Sequence, residues 1–408
     1  MVNSKKESLK AQNDPTIHHS PFTIHSSRGL YVHIPFCLKK CHYCNYVISA
    51  APRPEDKEAY LEALEHEIRR ARSRYGALAF DTLYLGGGTP SALDPGEMER
   101  LFSLVGAAFS LRPGAEVTCE VNPGEADRAK LAAYRRLGVN RLSVGAQSFN
   151  DALLRGLGRI HGARAIRETT EWAREIGFEN LSLDLIIRLP GQTVGDVEDS
   201  ARQAVACGAR QVVIYDLNVH DETVFGRLRR RGLLELPDEA LHSRMHEVAV
   251  RVLAGESGFR QYEISSFAKP GYESRHNLVY WHNEEYLGLG PGAFSYMEKR
   301  RYQYARTVAR YLAKTRAGDA SDDEEHFPAP EEIEMETLLT GLRLEEGVAL
   351  ADFPRIRREV GKEVERLVND GLAASDGRRV RLTPAGRSLA ETVFTRLSLE
   401  PQSLKIPG

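Results

Sequence analysis

The chain has 408 residues, 42% hydrophobic and 27% charged, enough for more than one domain with a sizeable core. A formal net charge of −2 sets aside nucleic acid as a partner, and the run Arg227, Arg229, Arg230 and Arg231 reads as a solvated loop. No stretch approaches the roughly 20 apolar residues that span a bilayer. Five cysteines, three of them within eight residues, point away from a secreted disulfide scaffold and toward a reducing, cytoplasmic setting where clustered thiols bind metal.

Residues 1–28 are polar and lack the apolar core of a secretory signal, so they read as a disordered extension. From Leu30 onward, short β-branched runs alternate with helical patterns. The strand-like runs are Leu30–Ile34, Thr82–Leu85, Glu116–Val121, Arg141–Val144, Leu181–Ile187 and Gln211–Leu217. Between them, Glu55–Arg74, Pro95–Phe109, Asp127–Leu137, Ala163–Ile176 and Val194–Ala206 carry apolar residues at helical spacing. This order predicts an α/β fold, a partial (β/α)6 TIM-like barrel over residues 29–300, with chemistry at the C-terminal ends of its strands.

Residues 301–327, rich in Asp, Glu, Ala and Ser toward their end, read as a linker. Over 328–408, helices are expected at Pro330–Leu342, Phe353–Gly361, Lys362–Asp370 and Ala385–Leu397, with a strand pair within Leu372–Thr383. That pattern suggests a small winged-helix-like domain. Cys119 and Cys207 sit among apolar neighbours and read as small core residues.

The remaining cysteines stand in Tyr31-Val-His-Ile-Pro-Phe-Cys37-Leu-Lys-Lys-Cys41-His-Tyr-Cys44-Asn-Tyr46. Three thiols at i, i+4 and i+7 could share a helix face, but Lys39, Lys40 and His42 intervene and Pro35 closes the preceding strand. A metal-wrapping loop fits better. Zinc with His33 or His42 as fourth ligand is one alternative. Iron–sulfur clusters usually take four thiolates, and three would leave one iron open to a substrate. The Cys-x3-Cys-x2-Cys spacing resembles the radical S-adenosylmethionine (SAM) superfamily. The resemblance implies a [4Fe–4S] cluster on Cys37, Cys41 and Cys44 that binds SAM and cleaves it by one electron to a 5′-deoxyadenosyl radical.

Other motifs follow in order. Gly86-Gly87-Gly88-Thr89-Pro90 ends the second strand, where glycines let backbone approach a ligand. Glu120 ends the third, Gly145-Ala-Gln147 ends the fourth, and Asp184 lies in the apolar fifth. A carboxylate there is costly unless paired, with Arg159 or bound SAM as candidate partners. The ensemble closely resembles the coproporphyrinogen oxidase-like subfamily over nearly all of residues 30–400. That resemblance assigns SAM contacts to Tyr31, Tyr43, Gly87, Gly88, Thr89, Glu120, Gln147, Arg159 and Asp184, and more loosely to Asn218.

Two features choose within the subfamily. Anaerobic coproporphyrinogen oxidases usually carry a fourth cysteine where Tyr46 stands. The string His276-Asn-Leu-Val-Tyr280-Trp281 is similar to that of HemW-type heme chaperones, in which the histidine is linked to heme binding. The likeness implies heme as cargo, a heme-accepting respiratory apoprotein, and a flavodoxin- or ferredoxin-like electron donor. Departures are Phe294 in place of a common His, Arg188 in place of a common Gly, and Asp216 and His220 in place of a Gln/Glu pattern. The alternative is a radical SAM methyltransferase or cyclopropanase acting on a specialised metabolite, or less favourably a coproporphyrinogen III dehydrogenase.

Overall fold

A computed structural model describes residues 27–398. The N-terminal extension, apart from its last two residues, lies outside the described residues.

The barrel strands are β1 (Gly29–Ile34), β2 (Ala79–Gly87), β3 (Ser110–Val121), β4 (Arg141–Gln147), β5 (Asn180–Ile187) and β6 (Gln211–Asp216). They pair in that order, all parallel. Connecting helices are α1 (Pro54–Tyr75), α2 (Pro95–Ala108), α3 (Arg128–Arg136), α4 (Asp151–Gly156), α5 (Ala163–Ile176) and α6 (Val194–Ala206). Their entries are fixed locally. Pro95 stands at the first position of α2, and Asp94 accepts from the Glu97 amide while Glu97 reaches back to the Asp94 amide.

Strand alternation makes the two sides of the barrel. Leu30, Val32, Ile34, Leu83, Leu85, Val117, Cys119, Leu142, Val144, Leu181 and Leu183 join one core with the helices. Each such aliphatic burial contributes roughly 2 kcal/mol. The intervening residues face the lumen, and many are polar: Thr82, Thr118, Arg141, Ser143 and Ser182 are all buried.

After β6 the chain forms α7 (Val224–Arg230), α8 (Glu239–Val250), β7 (Arg260–Gln261), β8 (Ser266–Ala268) and α9 (Arg275–Trp281). Then come β9 (Tyr286–Leu289), β10 (Phe294–Met297), β11 (Arg300–Gln303), α10 (Val308–Ala317) and β12 (Glu324–His326). The full sheet has 12 strands in the order β12-β11-β10-β9-β1-β2-β3-β4-β5-β6-β8-β7. It does not close, because antiparallel strands extend both edges.

Residues 301–327 are therefore no linker. They carry most of β11, the edge strand β12 and a helix, and their acidic residues are bound: Asp322 pairs with Arg70 at 3.1 Å and with Arg300, and Asp323 lies 3.0 Å from the Lys314 ammonium. Composition suggested solvation, whereas basic groups from distant elements neutralise these carboxylates.

The C-terminal unit comprises α11 (Pro330–Gly341), β13 (Val348–Ala349), α12 (Arg357–Asn369), β14 (Ala373–Ser375), β15 (Arg379–Leu382), α13 (Pro384–Ser388) and α14 (Ala390–Leu397). The strand pair predicted there is present, joined by β13 into a three-stranded sheet. Instead of two helices at Phe353–Gly361 and Lys362–Asp370 there is one, because Val360, Val364 and Leu367 form a continuous buried stripe across Gly361. The final helix breaks at Leu389. No helix among the described residues is long and apolar enough to cross a membrane.

Candidate functional site

The cysteine loop leaves the C-terminal end of β1 and lies against the glycine loop that ends β2. The amides of Gly88 and Thr89 donate to the carbonyls of Ile34 (2.8 Å) and Phe36 (2.6 Å). A Cβ on Gly87, whose φ is 106°, would fall 2.4 Å from the His33 ring, and one on Gly88 would fall 2.7 Å from the Phe36 carbonyl oxygen. Only glycine permits this approach.

A circuit of polar contacts connects two of the three cysteines. Thr89 Oγ1 lies 3.3 Å from Cys37 Sγ and accepts from Asn122 Nδ2 at 2.6 Å. Asn122 Oδ1 in turn accepts from Arg159 Nη2 at 2.5 Å, and Arg159 Nη1 points at Cys41 Sγ from 3.6 Å. Arg159 also donates to the Gly145 carbonyl at 2.8 Å. A Cβ on Gly145 would meet Arg159, Asn122 and the Gln147 amide within 3.2 Å, so Gln147 adjoins the same cluster. Gln147 itself has φ 66°, a strained value for a non-glycine residue that turns the chain at the end of β4.

No cysteine is in a disulfide. Burial pushes the Cys37 thiol up to about 12, opposed by Thr89, and raises the Cys44 thiol as well. Unassisted, these groups stay protonated; a cationic iron centre draws them into the thiolate form, and a hydroxyl and a guanidinium are already aimed at two of them. The donor set therefore fits an iron–sulfur cluster. It fits His33-assisted zinc poorly, since His33 Nδ1 is engaged by the Tyr31 hydroxyl (3.0 Å) and Nε2 by the Val47 carbonyl (2.8 Å). His42 commits Nδ1 to the Gly156 carbonyl.

Below this cluster the lumen holds two carboxylates. Glu120 accepts from the Tyr84 hydroxyl (2.8 Å) and the Gly87 amide (3.1 Å). Burial raises it to about 7, with Tyr84 acting against the rise and Asp184 adding to it. Burial likewise raises Asp184 to about 6, opposed by Arg141, then by the Ser143 hydroxyl, and least by Arg159. The expected Arg159 partner of Asp184 is thus chiefly committed elsewhere, and Arg141 supplies the larger field.

Tyr31 sits deeper, its ring 6.1 Å from that of Tyr84. Tyr43 packs beside the small cluster formed by Leu157, Ile186, Leu189 and Leu217. Asn218 lies exposed beyond β6, with no bond to the other site residues among the described contacts.

His276 is elsewhere. It lies at the N-terminal end of the barrel strands, 1% exposed, as part of a plug formed by α9. Its Nδ1 meets Thr82 Oγ1 and its Nε2 the Tyr280 hydroxyl, both at 2.7 Å. The amides of Arg275 and His276 donate to the Glu116 carboxylate. With both ring nitrogens engaged, the imidazole expected to hold heme is closed to iron in this conformation.

Sequence reasoning missed Asn122, Tyr84 and Arg141 as site residues. The signal for them was position: each occupies or directly follows a lumen-facing register on a strand whose alternate residues join the core.

Residues 31–204 match the model of the radical SAM superfamily, and residues 329–389 that of the HemN C-terminal domain. The heme chaperone HemW of Lactococcus lactis subsp. lactis (strain IL1403) is 36% identical over 376 residues, 91% of this chain and 97% of that protein. The chain belongs to the HemW family of radical SAM proteins. The Bacillus subtilis (strain 168) heme chaperone HemW is also 36% identical, across 90% of this chain and 98% of its own length. A mitochondrial radical S-adenosyl methionine domain-containing protein 1 of Bos taurus is 32% identical over 90% of this chain and 87% of its own. In fold, the chain resembles the coproporphyrinogen III oxidase HemN of Escherichia coli, with a TM-score of 0.81 at 23% identity, over 92% of this chain and 90% of that one. Membership brings with it the superfamily's cofactors, a [4Fe–4S] cluster and SAM.

Proposed function

We propose that the protein is a heme chaperone: it binds heme in the cytoplasm and passes it to respiratory apoproteins, with its cluster and SAM assisting or regulating transfer. The observation that carries this reading is the 36% identity extending over 97% of a bacterial heme chaperone. Tyr46, standing where coproporphyrinogen oxidases carry a fourth cysteine, favours it over porphyrinogen decarboxylation. The departure at Arg188 does not weigh against it. Its guanidinium lies 2.5 Å from Glu239, a neutralised pair on the rim.

In this reading Cys37, Cys41 and Cys44 hold the cluster, which with SAM supplies one-electron cleavage of a carbon–sulfur bond and takes its electron from a flavodoxin- or ferredoxin-like donor. The chain's own groups prepare that site. Thr89 donates to the Cys37 thiolate and Arg159 stabilises that of Cys41. Glu120 fixes the Gly87 amide, holding the glycine loop against the cysteine loop. Tyr31, Tyr43, Gly88, Gln147, Asp184 and Asn218 complete the SAM contacts carried from the family pattern.

The test is a hemin titration of the anaerobically reconstituted full chain, followed by mixing with a heme-free respiratory cytochrome. A Soret shift on loading and its reappearance on the cytochrome are expected. A parent protein that gives no Soret shift removes the carrier reading.

A further inference from the structure

The cysteine loop exposes Leu38, Lys39 and Lys40 to solvent between Cys37 and Cys41. Burial raises the Cys44 thiol, and Lys40 is among the groups that oppose the rise, so its charge is felt at the thiols. Two other segments are bonded to this loop through His42. The His42 amide donates to the Leu157 carbonyl and its Nδ1 meets the Gly156 carbonyl, both at 2.9 Å, at the end of α4. The His42 carbonyl accepts from the Phe225 amide at 3.0 Å, in the first turn of α7. Residues 37–46, 151–160 and 221–231 therefore meet beside the three cysteines.

These segments hold eight Lys and Arg against three Asp and Glu, on a chain of net charge −2. The arginine run is no solvated loop, since Arg227, Arg229 and Arg230 form the last turn of α7. Three of the eight cations are spoken for. Arg159 is turned inward to Cys41, and Arg229 and Arg230 share Asp221 at 2.9 and 3.6 Å. Lys39, Lys40, Arg155 and Arg231 are exposed and make no side-chain hydrogen bond or ion pair among the described residues. Arg227 donates only to the backbone carbonyl of Glu222, at 3.4 Å. Against these five stand two exposed carboxylates, Glu222 and Asp151, the latter also accepting the Ala163 amide. Glu125, near Cys37, is turned inward to Asn122. Apolar side chains stand among the cations, with Leu38 53% exposed and Ile160, next to Arg159, 49%. Exposed apolar contacts within a ring of like charge mark a surface that meets a partner.

We propose that this surface docks an acidic one-electron carrier protein, with Lys39, Lys40, Arg155 and Arg227 facing its carboxylates and Leu38 and Ile160 packed against it. The proposal rests on the cluster and the electron donor of the reading above and gives that donor a place, while it does not depend on heme. Leu38 follows Cys37 and Lys40 precedes Cys41, so a protein seated here meets the loop that carries the cluster ligands. Its reduced centre gives up one electron, the cluster gains it, and no atom is transferred. Contacts of this kind are small and steered by charge, which makes association fast and sensitive to salt.

The experiment compares the reconstituted full-length parent with a Lys39→Glu, Arg155→Glu double variant and with Arg366→Glu, an exposed site on α12, as control. Equal iron and sulfide per chain qualifies the three for comparison. Reduced flavodoxin and photoreduced deazariboflavin, a small uncharged reductant, serve as electron sources. Stopped-flow bleaching of the cluster reads the rate, and calorimetric titration with oxidised flavodoxin reads affinity. Raising salt from about 0.05 to about 0.5 M slows reduction of the parent by flavodoxin about tenfold. At low salt the double variant is about tenfold slower with flavodoxin and binds it more weakly. Deazariboflavin still reduces it at the parent's rate, and Arg366→Glu matches the parent throughout. A double variant that keeps the parent's rate and affinity for flavodoxin overturns the surface. So does a parent that deazariboflavin reduces and flavodoxin does not, in which case the cluster stands. A parent that neither reduces loses the cluster reading and the surface with it.

Discussion

Arg159 Nη1 lies 3.6 Å from Cys41 Sγ across 118 positions of sequence. Through Asn122 and Thr89 the same guanidinium is tied to Cys37, so one cation from the turn between α4 and α5 organises two of the three proposed cluster ligands. Arg159→Met removes the cation and leaves Asn122 Oδ1 and the Gly145 carbonyl unpaired. We expect reconstituted iron and sulfide to fall several-fold in this variant, and Arg159→Lys to recover only part because it cannot fork. Iron and sulfide per chain are the measurement.

Cys37→Ala, Cys41→Ala and Cys44→Ala each delete a proposed ligand to the cluster. Every one should lose the cluster while the circular dichroism of the chain is kept, since none is a large core side chain. Unchanged iron in all three would refute the site.

Two glycines give a matched pair of opposite sign. At Gly88 an added methyl would stand 2.7 to 2.8 Å from backbone atoms of Ile34 and Phe36, which cannot yield without moving the cysteine loop. Gly88→Ala should cost about 1–3 kcal/mol and impair cluster assembly. Gly106, inside α2, has nothing within 4 Å of a new Cβ, so Gly106→Ala should stabilise by about 0.5–1 kcal/mol. Thermal melts of the metal-free proteins read both.

The pairing of Gly88 with Phe36 also shows what the chain made legible. Six strands and their helices were readable because burial on the outer barrel face imposes apolar alternation, and the cysteine, glycine and carboxylate motifs fall where those strands end. What escaped notice depends on distant partners. Asn122 acquires meaning only from Arg159 and Thr89, and Arg141 only from the carboxylates across the lumen. The acidic stretch near Asp322 looked solvated because Arg70 and Arg300, which neutralise it, come from other elements.

Glu120 gives a pH dependence with a defined sign. Its folded pKa, about 7, lies above the ordinary 4.5, so its contribution to stability is fully present below about 4.5 and is lost as pH rises through about 7. Glu120→Gln stays neutral throughout. The stability of the metal-free parent relative to this variant should therefore decline across that window, by at most roughly 3 kcal/mol. Denaturant melts at several pH values measure it. A difference that stays flat would mean the carboxyl is ionised in the fold at all these pH values.

His276 should behave in the opposite sense. Burial, aided by Arg141, lowers its pKa to about 3, so the neutral ring's contribution is fully present above the ordinary 6.5 and is lost as pH falls toward 3. His276→Ala strands Thr82 Oγ1 and the Tyr280 hydroxyl inside the plug and opens a cavity beneath Tyr31 and Tyr84, whose rings lie 6.4 and 5.0 Å from the imidazole. The expected loss is about 2–4 kcal/mol at neutral pH, shrinking on acidification as the parent loses its own advantage. His276→Gln can offer both a donor and an acceptor and should recover part of the loss without the acid dependence. A floor residue that could be removed with no change in melting temperature would instead be one retained for a ligand, and heme would have to be sought there again.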